Sequence, residues 1–412
     1  MTTRRRAWAP CLAVLLLSAC TFGSGPTAAT SGSSQSSAAS GSSTPAADAS
    51  SASRTGGSGV AAAQGRGSPA GTRASSRLLR LTPTVRIALS GQTYGRGLVL
   101  FGRYAAWVGC DGCQRTFTEP TTLYVADLST QRVREVLTAP KDTFVMPLGG
   151  SGTTLVYALA RVGDRSVLWS AYAQDLADAS RSTLAGATQA SAETPPAAVV
   201  GAGQFVWQTF GPGPAGASHG PVSEIDLRTG AHREVSRDLP GVLGAVTRAG
   251  LVYRAPTGPG TTLDQGLVDA FLLRDGGRPT LLLSGTHNVH DIVADDTTAA
   301  WQTNDGPDAA VWAAPMDGQG PAREFYRGGT GDRAVGTGFL ALVTAGDAPV
   351  LLLYPLGLGP VVAVGDVPGE FDSIAAEGSR LAYIALPVDR GVQPDAKHPI
   401  ALVLVTVAPP GS

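Results

Sequence analysis

A short apolar segment that opens on a small-residue turn returns seven times along the chain, and that recurrence restricts the fold more than any other property. The copies are Arg103-Tyr104-Ala105-Ala106-Trp107, Gly152-Thr153-Thr154-Leu155-Val156-Tyr157, Gly203-Gln204-Phe205-Val206-Trp207 and Gly250-Leu251-Val252-Tyr253. They continue as Thr298-Ala299-Ala300-Trp301, Gly338-Phe339-Leu340-Ala341-Leu342 and Ser379-Arg380-Leu381-Ala382-Tyr383. Successive copies stand about 41 to 50 residues apart, the length of one four-stranded propeller blade. Helical periodicity is nearly absent, and β-branched or aromatic residues fall in short runs broken by Gly, Pro, Asp and Asn, so the folded part reads as all-β.

Seven anchors predict a β-propeller of seven four-stranded blades. Six or eight blades are the alternatives, because a Gly/Pro-rich insertion at 211–220 interrupts the third repeat. The last repeat offers only three strands, near 371–376, 381–386 and 400–407, and a fourth is expected from 85–89 at the other end of the folded region. Closing the ring in this way removes an exposed strand edge.

A second motif lies further along several repeats. Leu123-Tyr124-Val125-Ala126-Asp127-Leu128-Ser129-Thr130 and Glu224-Ile225-Asp226-Leu227-Arg228-Thr229-Gly230 both run a strand into Asp-Leu-x-Thr, chemistry suited to a tight hairpin into the last strand of a blade. Weaker equivalents follow Phe271 and Trp312. In this rhythm the chain resembles the TolB-like and WD-repeat-like propellers of bacterial envelopes over 78–408, although it has no Trp-Asp dipeptide. The resemblance implies a fold and leaves function to be argued from sites.

The region before the repeats has a different texture. Arg4, Arg5 and Arg6 precede an apolar run at 7–17 and then Leu17-Ser18-Ala19-Cys20. That is the order of a signal peptide, and the run is too short for a bilayer span, which needs about 20 residues. Its ending resembles the lipobox of bacterial lipoproteins, which implies cleavage before Cys20 and lipidation of its thiol; plain secretion with cleavage near Ala19 is the alternative. Residues 21–77 are Ser, Gly, Ala, Thr and Pro with one aromatic, Phe22. Such a composition does not bury enough apolar area to offset its ordering entropy. It is expected to be a disordered tether with a typical reach of about 40 Å, or a glycosylated stalk. The expected organisation is therefore a leader at 1–19, a lipidated cysteine and tether at 20–77, and a propeller at 78–412.

Candidate chemistry is sparse. The net charge is −1 and opposite charges are interspersed, so no basic stripe is present to neutralise phosphates and nucleic acid is not an expected partner. Once Cys11 leaves with the leader and Cys20 carries lipid, Cys110 and Cys113 remain. Outside the cytoplasm they are expected to form a disulfide, with half of a metal site and a redox pair as alternatives. His287, His290 and Asp291 are the densest set of metal ligands or acid–base groups, against an ordinary polar loop. A carboxylate is also expected shortly before the channel-lining strand in six repeats: Asp142, Glu193, Asp238, Asp291, Asp332 and Asp372. Crowded at one channel mouth they would raise one another's pKa unless a cation or basic group intervened, which makes them candidate ligands for a divalent cation such as calcium or for a basic partner segment, or simple turn caps. Gly216-Ala217-Ser218-His219-Gly220 matches a nucleophile-elbow pattern, but no strand precedes it and no helix follows.

Two main functional expectations follow. One is a membrane-anchored extracytoplasmic lipoprotein, on the cell membrane or an outer membrane, whose propeller is a scaffold for an envelope protein, peptide or glycan, without catalysis and without a resident cofactor. The other is an envelope hydrolase or lyase with its site at the channel mouth. A structural or sensory accessory to export or wall assembly is a third reading.

Overall fold

The structure is a computed structural model and describes residues 79–90, 92, 94–110, 121–140, 143–162, 167–187, 197–210, 219–256, 268–283, 288–303, 309–345, 349–357, 359–364, 374–387 and 399–408, all within one compact unit. Among the described residues, 28 strands form seven antiparallel sheets of four. The first strand, β1 (Arg80–Ala88), belongs to the last sheet. Blade 1 is β2 (Tyr94–Phe101), β3 (Tyr104–Cys110), β4 (Thr122–Asp127) and β5 (Arg132–Thr138). Blade 2 is β6 (Thr143–Ser151), β7 (Thr154–Val162), β8 (Val167–Asp175) and β9 (Arg181–Ala187). Blade 3 is β10 (Ala197–Gly201), β11 (Gln204–Gln208), β12 (His219–Asp226) and β13 (His232–Pro240). Blade 4 is β14 (Val242–Thr247), β15 (Gly250–Pro256), β16 (Val268–Leu273) and β17 (Thr280–Leu283). Blade 5 is β18 (Val289–Ala294), β19 (Thr298–Thr303), β20 (Ala310–Pro315) and β21 (Arg323–Arg327). Blade 6 is β22 (Thr330–Gly336), β23 (Phe339–Thr344), β24 (Leu351–Pro355) and β25 (Val362–Ala363). Blade 7 is β26 (Ile374–Glu377), β27 (Arg380–Ala385) and β28 (Ala401–Ala408), completed on its outer edge by β1.

The seven-bladed ring is therefore the one the repeat spacing predicts. The first strands of the blades touch one another in sequence, and β26 meets β2 to close the circle. The closing strand is longer than expected: β1 runs from Arg80 opposite Ala408 to Ala88 opposite Ala401, with a register shift at Thr84. It begins five residues before 85–89, and its first half, Arg80-Leu81-Thr82-Pro83, is mostly exposed and therefore leaves no apolar pattern in the sequence. Leu79, just ahead of it, is buried against the blade 6–7 core that includes Val407.

All seven anchors are second strands. A second strand has a strand on each edge and a neighbouring blade on each face, so it buries both of its side-chain rows. Trp107, Tyr157, Phe205, Tyr253, Trp301, Phe339 and Tyr383 are all buried, each contributing on the order of 1.5–3 kcal/mol of hydrophobic stabilisation. Outer strands face water, and β13 reads His-Arg-Glu-Val-Ser-Arg-Asp-Leu-Pro with most side chains exposed.

Turns from first to second strand, and from third to fourth, share one end of the ring, which we call the base. Gly152, with φ of +60°, makes one such two-residue turn, a backbone conformation that costs glycine little. The Asp-Leu motif does two jobs here. Asp226 Oδ1 accepts from the backbone N–H groups of Arg228 and Thr229 at 3.0 and 2.7 Å, and Leu227 N–H donates to the Gly203 carbonyl of the neighbouring turn at 2.9 Å. Leu128, Leu176, Met316, Leu356 and Val407 repeat the second bond at 2.8 to 3.0 Å. The Leu176 copy follows Asp175, and the sequence motif does not reveal it because its turn has Ala177 and Asp178 where the clear copies have Ser129-Thr130 or Arg228-Thr229.

Candidate site at the channel mouth

The opposite end, the mouth, is where each first strand begins. Several of these strands bulge, with register shifts in β2, β6, β14, β18 and β22. Glycine sits at or beside the shift in blades 1, 2, 4 and 6, as Gly97, Gly149, Gly244 and Gly331. Blade 5 instead has Asp291 there, with φ of +40°. A non-glycine residue in the left-handed region is uncommon and is held by its surroundings.

What holds it is an arginine from the next blade. Arg333 Nη2 lies 3.1 Å from Asp291 Oδ2, with the two side chains 4% and 11% exposed. Arg333 Nε also donates to the Asp291 carbonyl at 3.2 Å, which ties the strained backbone as well as the carboxylate. Its Nη1 donates to Gln302 Oε1 at 3.1 Å and to Thr330 Oγ1 at 2.6 Å, and Thr330 in turn donates to Gln302 Oε1 at 2.7 Å. The planar fork of arginine suits such a set of acceptors, where a lysine would supply a point charge. A buried pair of this kind is costly to break by deleting one partner, because the other is left charged without water.

Asp332 extends the network in the other direction. Its Oδ1 accepts from Arg333 N–H at 2.8 Å and its Oδ2 from Ile374 N–H at 2.9 Å, which joins blade 6 to the first strand of blade 7. The basic group expected between crowded carboxylates is thus supplied by the chain itself for Asp291. Asp238 stands elsewhere: it belongs to outer strand β13, is exposed, and lies 3.2 Å from His219 Nδ1. His290 opens β18 opposite Gln302. Cys20, Cys113, Asp142, Glu193, Asp372 and His287 lie outside the described residues, as does the side chain of Cys110 at the end of β3. Among the described residues, no group of three His, Cys, Asp or Glu side chains converges to hold a metal ion.

A set of mouth residues escaped the sequence reading. Gln208, Arg254 and Gln302 each directly follow the anchor aromatic of blades 3, 4 and 5. Each reaches the opening of the next blade. Gln208 Nε2 donates to the Gly241 carbonyl at 2.8 Å and its Oε1 accepts from Leu243 N–H at 3.1 Å. Arg254 Nη1 donates to the Val289 carbonyl at 3.0 Å. The available signal was a large polar residue closing an otherwise apolar anchor.

No family model and no curated protein matches the chain. Solved structures do. The β-propeller domain of the Trilobed protease from Pyrococcus furiosus, described as having an open velcro topology, is similar with a TM-score of 0.52 and 11% identity over 77% of this chain and 99% of that one. Pyrococcus horikoshii acylaminoacyl peptidase is similar with a TM-score of 0.48 and 12% identity over 71% of this chain and 49% of that one, so the chain spans about half the peptidase's length. A protein from Agrobacterium tumefaciens described as TolB gives a TM-score of 0.42 and 14% identity over 70% of this chain and 98% of that one. Such identities establish the propeller fold alone.

Proposed function

We propose that this protein is an extracytoplasmic lipoprotein, anchored through Cys20 and carrying its seven-bladed ring as a docking scaffold for an envelope protein, peptide or glycan. The observation that carries the reading is the position of β1. The strand reached directly after the Ser/Gly/Ala-rich segment completes the last blade by pairing along β28. Anchor, spacer and rigid ring then form one continuous device, and the scaffold needs no catalytic group. The polar network at the mouth supports it, since Asp291, Arg333 and Asp332 are engaged in joining blades 5, 6 and 7. A direct test is metabolic labelling of the full chain with radioactive palmitate, with fractionation of the cells. Label and protein in the membrane fraction, both lost in Cys20→Ala, are the expected result; an unlabelled, soluble wild-type chain would refute the anchor.

A further inference from the structure

The mouth is held together differently on its two sides. In blades 3, 4 and 5 the residue directly after the anchor aromatic is polar and bonds to the next blade. Gln208 takes the Gly241 carbonyl and the Leu243 N–H of blade 4, and Arg254 takes the Val289 carbonyl of blade 5. Gln302 accepts from Arg333 and Thr330 of blade 6, and Asp332 carries the linkage on to the Ile374 N–H of blade 7. At the same position blade 1 has Val108 and blade 2 has Ala158, both buried and without a hydrogen-bonding side-chain group. Those two second strands cannot make the link.

The inner strands repeat the contrast. β2, β6 and β18 all shift register beside the anchor aromatic of their blade. In β18 the left-handed residue is Asp291, pinned through its carboxylate and its carbonyl by Arg333. In β2 and β6 it is Gly97, with φ of +63°, and Gly149, with φ of +136°. Glycine takes such angles at little cost and has no side chain by which a neighbour could lock them. Joint 2–3 is closed by apolar packing, with Ala158, Ala160 and Ala171 of blade 2 in one cluster with Phe205 and Ile225 of blade 3. Apolar attraction is non-directional and falls off gradually as area is uncovered. Tilting a hydrogen-bonded joint instead strands a buried donor or acceptor at once.

We propose that the mouth widens on one side only: blades 1 and 2 tilt away from blade 3, while blades 3 to 7 move as one locked body. A partner entering the mouth then meets a fixed wall from blades 3 to 7 and a yielding wall from blades 1 and 2. The motion belongs to the ring and is independent of the Cys20 anchor.

Pairs of spin labels, introduced into the full chain through an unnatural amino acid, read the two sides by pulsed electron–electron double resonance. Thr138, Asp238 and Arg327 are exposed at the mouth ends of outer strands β5, β13 and β21, in blades 1, 3 and 5. The 138–238 and 238–327 pairs each span two joints, so a uniformly stiff ring would give both the same width of distance distribution. The 138–238 distribution is expected to be about two-fold broader, or to carry a second, longer distance. Equal widths, or a broader 238–327 pair, overturn the proposal. Gln208→Leu removes the link from blade 3 to blade 4 and should broaden the 238–327 pair. A folded Gln208→Leu chain with that distribution unchanged shows that the polar links do not set the stiffness, which also overturns it. Where the variant does not fold, the wild-type comparison decides by itself.

Discussion

The joint between blades 5 and 6 and the joint between blades 7 and 1 both rest on apolar packing, but the first adds a buried charged network to it. In the first, a buried guanidinium from β22 reaches back to a carboxylate and a carbonyl on β18 and to Gln302 on β19. In the second, Trp107, Leu98, Leu100, Ile384, Ile400 and Leu402 pack as one apolar cluster. Gly95 lies so close that a Cβ there would stand 2.8 Å from Ile384 Cδ1. Polar links beside this cluster include Trp107 Nε1 donating to Gln92 Oε1 at 2.8 Å and, at the base, Gly102 N–H donating to Glu377 Oε1 at 3.0 Å. An apolar joint gains from area and tolerates sliding by fractions of an ångström. The polar joint admits one arrangement only, because every displaced donor or acceptor is left without water.

The contrast can be broken most forcefully at the charged pair. Arg333→Met strands the Asp291 carboxylate and is expected to cost about 3–5 kcal/mol of stability, read by urea unfolding of the folded region within the full chain. In Arg333→Met combined with Asp291→Asn, more than half of that loss should return, since no buried charge is then left alone; additive losses would show that the pair does not act as a unit. The apolar joint should respond differently. Ile384→Ala is expected to cost about 2–4 kcal/mol through lost burial and the cavity left behind. Adding Gly95→Ala should restore part of the loss, because the new methyl enters the space that Ile384 vacates; a further loss would show that the joint is set by backbone contact instead of side-chain volume.

The smallest expected effect comes from the base turns. Thr229 and Ser180 hydrogen bonds hold the Asp226 and Asp178 carboxyls below the ordinary aspartate value. A carboxyl lowered in the folded state adds stability above its unfolded pKa of about 3.9 and loses it as pH falls through the lower folded value. Thermal unfolding of Asp226→Asn should therefore fall slightly below wild type at pH 7, by a margin that shrinks as pH is lowered. A variant equally displaced at every pH would show that the turn depends on geometry and not on charge.

Legibility in the sequence followed burial. Second strands such as Arg380-Leu381-Ala382-Tyr383-Ile384-Ala385 are enclosed on every side, so their apolar runs stand out and can be counted. Outer strands leave little trace. β25 is two residues long, and the exposed first half of β1 reads like linker. At the candidate site the repeats placed Asp291 and Asp332 shortly before their channel-lining strands, whereas both lie within β18 and β22, and the partner of Asp291 could not be read at all. Arg333 lies 42 residues further on and meets it only because adjacent blades pack their first strands side by side.

The spacing of the anchors and the missing fourth strand of the last repeat pointed by themselves to seven blades and an N-terminal closing strand, with six or eight blades left open by the insertion at 211–220. Both follow from local apolar patterning and from the cost of an open sheet edge. Only the tertiary structure decided what the mouth carboxylates do. A charge's role depends on which groups are brought within a few ångströms of it after burial, and that neighbourhood is assembled from residues a whole blade apart.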